Sequence, residues 1–194
     1  RYRDNDTRFL GCLDDYAFLI SGLLDLYQSD FDARWVFFAE ELQQQLDLRF
    51  WDDRAQGYFF TDGSDTSLLL RKKQFHDGAL PAGNAVAAEN LLKLSVLLLK
   101  PDYRARAEEI FAAASPLLLR FPSAMSTLLA AYDYYSGDAL EIISLGGPGE
   151  EEGKLLELLN QMFLPNALLI AEARGGGKES ELPVFLDKNR HHER

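Results

Sequence analysis

The most informative stretch of the chain is RKKQFHDGALPAGN at residues 71–84, which leads directly into the apolar run AVAAENLLKLSVLLL at residues 85–99. The first part combines three cations, a histidine and a carboxylate with Asp-Gly, proline and Gly-Asn, residue types that fix tight turns and helix starts. Asn84 is predicted to cap the following helix, Ala85 to Leu99, by accepting its first free N–H groups. This density of polar chemistry and backbone constraint indicates a functional site beside a buried helix.

Buried and half-exposed helices alternate on both sides of this stretch. Residues 13–28 are apolar nearly all round, which predicts a buried helix, whereas residues 33–50 predict an amphipathic helix with Trp35, Phe38, Leu42 and Leu46 facing inward. Pro101 begins another amphipathic helix that Pro116 should stop or kink, with an inner face formed by Tyr103, Ala107, Ile110, Phe111 and Ala114. Residues 121–135 predict a further helix. Such alternation is typical of concentric rings of helices with the buried set inside.

Short strands are predicted at two places. Residues 51–57 indicate a turn and residues 58–61 a strand, which together predict a short hairpin. After Gly137, a strand at 140–145, a helix at 154–162 and a strand at 167–171 predict a strand–helix–strand unit with parallel strands, because its crossover should be right-handed. We therefore divide the chain into a helical part at 8–136, a small strand-containing tail at 137–186 that packs on it, and a frayed end at 187–194.

Composition excludes several classes of function. The chain has 194 residues, 47% of them hydrophobic, with a formal net charge of -11, which is sufficient for one core and opposes binding to nucleic acid or anionic membranes. No apolar run reaches the roughly 18–20 residues of a membrane span. The single cysteine, Cys12, fits a reducing, cytoplasmic location. The histidines lack metal-ligand spacing, so we expect neither a metal nor another cofactor. The GGPG at 146–149 precedes three glutamates and lacks phosphate-loop spacing, which argues against phosphate binding there.

Three motifs, taken in order, resemble the YyaL / spermatogenesis-associated protein 20 family. They are LDDYAFLI at 13–20, GYFFT at 57–61, and DGALPAGN at 77–84 followed by VAAENLLKL at 86–94; the loop at 77–84 is the most specific. In that family an amino-terminal thioredoxin-like domain precedes a helical toroid similar to six-hairpin glycosidases and N-acylglucosamine 2-epimerases. The resemblance covers roughly residues 13–186. It implies a mainly α fold, part of an (α/α)6 toroid from the carboxy-terminal half, with a short hairpin and a small β-α-β tail.

The departures from the family pattern also carry information. The family usually reads Pro-Ser-Gly-Asn-Ser, whereas this chain has Ala82 and Ala85 in place of the serines, and Asp14 stands where Glu is usual. The thioredoxin-like part is absent, so the resemblance implies only the later hairpins of a toroid. We expect the missing half-toroid to come from another chain, from self-association or from a longer parent, because apolar helix flanks would otherwise be exposed.

The resemblance points to three candidate catalytic residues. Asp77 and His76 precede the buried helix, as an acid or base would at the mouth of a toroid, and Asp15 begins the first buried helix. Sugar chemistry at such a mouth uses carboxylates or histidines, with a raised pKa for the acid. Structural alternatives remain for each: Asp77 holds an Asp-Gly turn, Asp15 caps a helix together with Asp14, and His76 is a surface residue.

Five further residues are candidates for substrate binding: Arg71, Lys73, Tyr16, Trp51 and Asn84. Arginine and lysine bind carboxylate or phosphate groups, and aromatic rings stack on sugars. Alternatively, the two cations pair with Asp14, Asp15 or Asp77, the aromatic residues pack in the core, and Asn84 caps its helix. The sequence therefore leaves two functions open: a carbohydrate-active or sugar-binding domain with hydrolase or epimerase-like activity and a small sugar-like ligand, or a non-catalytic interaction module of a thioredoxin-domain-containing protein.

Overall fold

The chain is mainly α. The computed structural model describes residues 2–3, 5–7, 10–64, 68–137, 139–144, 150–171 and 182–185. Its helices are α1 (Leu13–Asp30), α2 (Arg34–Phe50), α3 (Gly83–Leu97), α4 (Pro101–Arg120), α5 (Ser126–Ser136) and α6 (Glu150–Asn160), with a short 3₁₀ turn at Pro122–Ala124. The strands are β1 (Tyr2–Arg3), β2 (Asp6–Thr7), β3 (Leu140–Ile143) and β4 (Ala167–Ile170), and β1 pairs antiparallel with β2.

Helix α3 lies at the centre of the packing. It contacts α1, α2, α4 and α5, and its residues are buried almost all round, which confirms the prediction from its apolar sequence. Two of its buried residues are polar, Asn84 and Asn90. The Asn90 side chain donates a 2.8 Å hydrogen bond to the Ala17 carbonyl of α1, so the two buried helices are joined by a polar bond as well as by apolar contact.

Helix α1 is buried on one side only. Leu13, Ala17, Ile20 and Leu24 are buried as predicted. The prediction that the helix is buried nearly all round is wrong on the opposite side, where Leu19 is 49% and Leu26 is 46% exposed. Within the described residues, α1 packs on α2, α3 and β4, and the contacts of these three elements leave this outer side uncovered.

The buried face of α2 matches the predicted one only in part: Leu46 is buried, and Trp35 and Leu42 are half-buried against the core. The buried residues are Val36, Ala39, Gln43, Leu46 and Phe50, whereas Phe38 is 44% exposed. Ala39 is fully buried, and the Gln43 amide donates to Asp47 and Tyr58 inside, whereas the Gln43 Oε1 is buried without a hydrogen bond among the described residues. In α4 the predicted inner face is confirmed residue by residue. Pro116 lies within α4 and does not stop it.

The predicted strand at residues 58–61 is reduced to a single antiparallel bridge between Trp51 and Tyr58. The reason is that successive backbone groups bond to different segments. Phe59 N–H donates to Phe50 C=O, Phe60 N–H donates to Lys72 C=O, and Phe60 C=O accepts from Leu13 N–H. The segment therefore joins α1, α2 and the loop before α3. A regular strand that paired with a single neighbouring strand could not bond to all three.

The predicted strand–helix–strand unit is confirmed. Strands β3 and β4 are parallel, with Leu140 opposite Ala167 and Ile143 opposite Ile170, and α6 lies between them in the chain. The unit docks on α1, where the Tyr27 hydroxyl donates to the Ala171 carbonyl. Leu182, Val184 and Phe185 are buried and belong to the hydrophobic core cluster. The GGPG at 146–149 and the predicted frayed end at 187–194 lie outside the described residues.

Candidate functional site

Helices α1, α3 and α5 begin close together, and the central loop joins their amino-terminal ends. Asp77 N–H donates to the Ala124 carbonyl just before α5, and the Asp14 carboxylate accepts the N–H of Gly83 at the start of α3. A carboxylate lies at each of the three helix starts: Asp15 at α1, Asp14 at α3 and Asp77 at α5. Each carboxylate therefore lies at the positive end of a helix dipole, which favours its charged form.

Asp77 makes the contacts of a structural residue. Its Oδ1 accepts the Ala82 N–H at 2.9 Å, and its Oδ2 accepts the Thr127 N–H at 2.9 Å and the Ser126 hydroxyl at 3.0 Å. Burial alone would raise the pKa of Asp77, but the N–H groups of Thr127 and Ala82 outweigh it, and the pKa is lowered. Asp77 is therefore ionised at neutral pH, whereas a general acid must be protonated.

Replacing Asp77 with alanine should lower the free energy of unfolding at pH 7 by about 1–2 kcal/mol, the usual cost of losing a helix cap. Because the pKa of Asp77 is lower folded than unfolded, its contribution is present above the unfolded value near 3.9 and is lost as pH falls through the folded value. Urea denaturation of both proteins at pH 7 and pH 3 measures this. Ser126→Ala, which removes only the hydroxyl donor, is the milder control. An equal difference between wild type and Asp77→Ala at the two pH values would contradict the assignment.

Asp15 and Asp14 both occupy the first turn of α1, as predicted, but their contacts differ. Asp15 caps its own helix, with its Oδ2 accepting the Cys12 N–H at 2.8 Å and the Cys12 thiol at 3.1 Å. Burial, and then the charge of Asp15, raise the pKa of Asp14, partly offset by the hydrogen bond from Gly83. Burial also raises the pKa of the Cys12 thiol, which opposes a nucleophilic role.

The two candidate cations are held by the loops around them. Arg71 donates from Nε to the Thr61 carbonyl at 2.9 Å and from Nη2 to the Arg49 carbonyl at 3.1 Å, and its guanidinium lies 4.1 Å from the centre of the Phe59 ring. Lys73 pairs with Asp52 at 2.8 Å. The predicted pairing of Lys73 with Asp14, Asp15 or Asp77 is therefore wrong, because the turn at residues 52–57 brings a nearer carboxylate.

Asn84 is fully buried and joins three backbone groups. Its Oδ1 accepts the Tyr58 N–H at 2.7 Å, and its Nδ2 donates to the Tyr58 carbonyl at 2.9 Å and to the Gln74 carbonyl at 3.0 Å. The prediction that Asn84 caps α3 is wrong, since the helix begins at Gly83 and the capping position is Ala82. The amide instead holds two loops against the first turn of α3.

The remaining candidates are half-buried rings at separate places. The Tyr16 ring lies 5.3 Å from that of Phe50, and the His76 ring lies 6.2 Å from that of Phe121. The Trp51 ring packs edge-on against Tyr58 at 4.9 Å, and the Arg106 guanidinium lies 4.4 Å from the Trp51 ring centre. These contacts agree with the alternative in which Trp51 packs in the core and does not stack on a sugar.

Sequence reasoning missed a buried polar network between α2 and the central loops. The Tyr58 hydroxyl donates to Asp47 at 2.5 Å, and the Gln43 amide donates to both at 2.9 Å. Burial raises the pKa of Asp47 despite the hydrogen bonds and the nearby Arg106, and burial followed by the charge of Asp47 raises that of Tyr58. The available signal was Gln43, a polar residue at helical spacing with Ala39, Leu46 and Phe50.

Two features are absent from the described residues. In that part of the chain no group of three or more histidine, cysteine, aspartate or glutamate side chains is arranged to hold a metal ion. Within the same ranges, none of the helices combines the length and the apolar character that crossing a membrane requires.

Comparison with known proteins supplies the family. No protein-family model matches the chain. It is 35% identical over 162 residues to spermatogenesis-associated protein 20 of Rattus norvegicus, an alignment that covers 82% of this chain and 20% of the rat protein. The Homo sapiens protein of the same name is 33% identical over 162 residues, with 82% and 21% covered. An uncharacterised Caenorhabditis elegans protein is 34% identical over 158 residues, with 81% and 21% covered. The chain spans about one fifth of these relatives. It is therefore homologous to part of spermatogenesis-associated protein 20, and the resemblance read from its motifs is confirmed.

Proposed function

We propose that the chain acts as a non-catalytic interaction module, a helical unit that packs against further polypeptide. The observation that carries this proposal is that the candidate site residues are already bonded to groups of the scaffold. Asp15 bonds Cys12, Arg71 bonds the Thr61 and Arg49 carbonyls, and Asp77 bonds Ala82 and the start of α5. Each is engaged with its own part of the scaffold, whereas a catalytic group must be directed at a shared substrate.

The relatives support the same proposal. About four fifths of the rat protein lies outside the matched region, so in that protein this segment is joined to much more chain. A division into a helical part at 8–136 and a tail at 137–186, with the helices forming one part of a toroid, is the architecture we propose for such a module. Its surface should then include apolar side chains that another segment or protein covers, as Leu19 and Leu26 of α1 suggest.

The test combines an apolar dye with sedimentation. We expect the folded chain to bind an anilinonaphthalene dye well below its melting temperature, and to lose at least half of the emission in a Leu19→Gln/Leu26→Gln double variant. Circular dichroism and urea denaturation establish that both proteins are folded. A monomer in sedimentation that binds no dye would overturn the proposal, because no apolar surface would then await a partner.

A second candidate, a sugar-binding or carbohydrate-active domain with hydrolase or epimerase-like chemistry, is favoured by one observation. Asp14, whose pKa is raised by burial and by the charge of Asp15, directly precedes that second carboxylate in the chain, and the half-buried Tyr16 follows. Two neighbouring carboxyl groups with different environments are the usual equipment of glycoside chemistry. Burial raises the pKa of Asp14, whereas the pKa of Asp77, a candidate acid or base, is lowered.

Thermal-shift measurements with monosaccharides, sugar phosphates and uronic acids separate the two proposals. Bound ligand raises the melting temperature by mass action. A rise that disappears in Asp14→Asn but persists in Asp77→Asn would favour the sugar site at the start of α1. We expect no rise with any of these ligands, which is the result that the interaction module requires.

A further inference from the structure

Polar side chains join helices α2 and α4 along one side of the fold. Helix α2 packs mainly on α1, and α4 packs mainly on α3. Between α2 and α4 themselves, three polar pairs follow one another: Glu40 with Lys100, Gln44 with Tyr103, and Asp47 with Arg106. We call these six residues the α2–α4 seam. Because both members of the pairs advance along the chain together, the two helices run in the same direction.

Asp47 lies at one end of the α2–α4 seam, in a cluster with too few hydrogen-bond donors. The Tyr58 hydroxyl and the Gln43 amide both donate to its Oδ1, at 2.5 and 2.9 Å, and the Gln43 amide also donates to the Tyr58 hydroxyl. The Arg106 Nη1 is 3.7 Å from the same oxygen, which is beyond hydrogen-bond distance. Within the described residues the Gln43 Oε1 is buried and has no donor. A proton on Asp47 would turn an acceptor into a donor and reduce this imbalance.

The electrostatic surroundings of Asp47 act in the same direction. The titratable and charged groups of the described chain that face it are Tyr58 from the loop after α2, and Arg106 and Tyr103 from α4. Both tyrosines are neutral, because burial raises the pKa of Tyr103 to about 12 and that of Tyr58 well above its ordinary value. Burial raises the pKa of Asp47 despite the attraction of Arg106 and the hydrogen bond from Tyr58.

We propose that the α2–α4 seam contains a pH-sensitive switch, in which Asp47 takes up a proton on mild acidification and Arg106 then loses its attraction to α2. The ionised carboxylate attracts Arg106 across the seam, whereas the neutral carboxyl keeps its hydrogen-bond partners and no longer holds the cation. The pair of Glu40 and Lys100 at the other end of the seam is unaffected. This inference concerns the coupling of two helices inside the chain and does not rest on the proposed interaction function.

The switch has a signed effect on stability. Because the pKa of Asp47 is higher in the folded chain than in the unfolded chain, the folded chain binds the proton more readily. The resulting stabilisation is fully present below the unfolded value of about 3.9 and is lost as pH rises through the folded value. The urea midpoint of the wild type, relative to that of Asp47→Asn, should therefore fall as pH rises from about 4 to about 8. A difference that stays constant over this range would overturn the inference.

Trp51 provides a local measurement, because the Arg106 guanidinium lies 4.4 Å from the centre of its ring. The chain has two tryptophans, so a Trp35→Phe background leaves Trp51 as the single reporter. In this background we expect the emission of Trp51 to change with a one-proton transition whose midpoint lies above about 3.9, the ordinary value of an aspartate. Circular dichroism at each pH establishes that the chain stays folded.

Three variants in the Trp35→Phe background assign the transition. Asp47→Asn should abolish it, because the amide cannot take up the proton. Tyr58→Phe removes a donor that favours the charged carboxylate, so it should move the midpoint upward by about half a pH unit, which a purely structural defect would not do. Glu40→Gln is the matched control, since it removes the other carboxylate of the α2–α4 seam and should leave the midpoint unchanged.

The outcomes decide the inference in either direction. A transition that persists in Asp47→Asn, or one that disappears in Glu40→Gln, would assign the proton to another group and overturn it. If Asp47→Asn does not fold, Tyr58→Phe decides the matter, because an unmoved or lowered midpoint in that variant would also overturn it. Loss of the transition in Asp47→Asn together with a raised midpoint in Tyr58→Phe is the expected result.

Discussion

Replacing Asn84 with alanine is expected to lower the free energy of unfolding by about 3–5 kcal/mol. The substitution removes three hydrogen bonds at a fully buried position and leaves the N–H and C=O of Tyr58 and the C=O of Gln74 without their partner. Each buried polar group left unpaired costs about 1–3 kcal/mol. The loss should exceed that of an ordinary surface substitution several-fold, because Asn84 joins both loops of the candidate site to α3.

Asn90→Ala is the matched control for this result. Asn90 is the other buried asparagine of α3, and its described side-chain bond is a single 2.8 Å contact with the Ala17 carbonyl, so we expect a loss of about 1–2 kcal/mol. Urea denaturation at pH 7 measures both variants, and hydrogen exchange of the Tyr58 N–H reports the local effect. Equal losses for the two variants, with unchanged exchange at Tyr58, would show that Asn84 does not hold the loops.

Replacing Gly83 with alanine should destabilise the chain by about 3 kcal/mol, at the upper end of the usual cost of overpacking. A Cβ at Gly83 would overlap the Asp14 carboxylate and would lie 2.8 Å from Cγ of the buried Leu13. Neither neighbour can retreat freely, because Leu13 begins α1 inside the core and Asp14 accepts the Gly83 N–H. The starts of α1 and α3 must therefore move apart.

Gly22→Ala is the control that separates the clash of an added Cβ from the general effect of replacing a glycine inside a helix. Gly22 also lies in a helix, but open space surrounds its Cβ position, so alanine there should raise the free energy of unfolding by about 0.5–1 kcal/mol. Thermal and urea denaturation of both variants give the comparison. A stabilising effect of Gly83→Ala would contradict the close contact between α1 and α3.

The motifs of the central loop identified the family but did not predict the structural roles of their residues. Family motifs are local strings, and the comparison with spermatogenesis-associated protein 20 confirms them over 82% of this chain. The roles of Asp77 and Asn84 depend on what lies opposite them, namely the start of α5 for Asp77 and the Tyr58 backbone for Asn84. These partners are 50 and 26 residues away in the sequence, so no local pattern predicts them.

Periodicity predicted some faces and missed others for a physical reason. In α4 the large apolar residues fall on one stripe, which leaves a single way to bury them, and the prediction for Tyr103, Ile110 and Phe111 is confirmed. In α2 apolar residues lie on two sides, and the buried side is the one that contains Ala39 and Gln43 and excludes Phe38. Hydrophobicity alone cannot choose between two apolar sides.

From the sequence alone, the helical class, the buried character of α3, the parallel strands of the small unit and the family of the chain could all be determined. Each of these follows from local spacing or from motif order, which the chain carries before it folds. Only the tertiary structure decided that Asn84 joins buried loops instead of capping its helix, that the pKa of Asp14 is raised, and that Leu19 and Leu26 face outward. These properties depend on which segments meet in space, since burial, hydrogen-bond partners and charge environment belong to contacts and not to single residues.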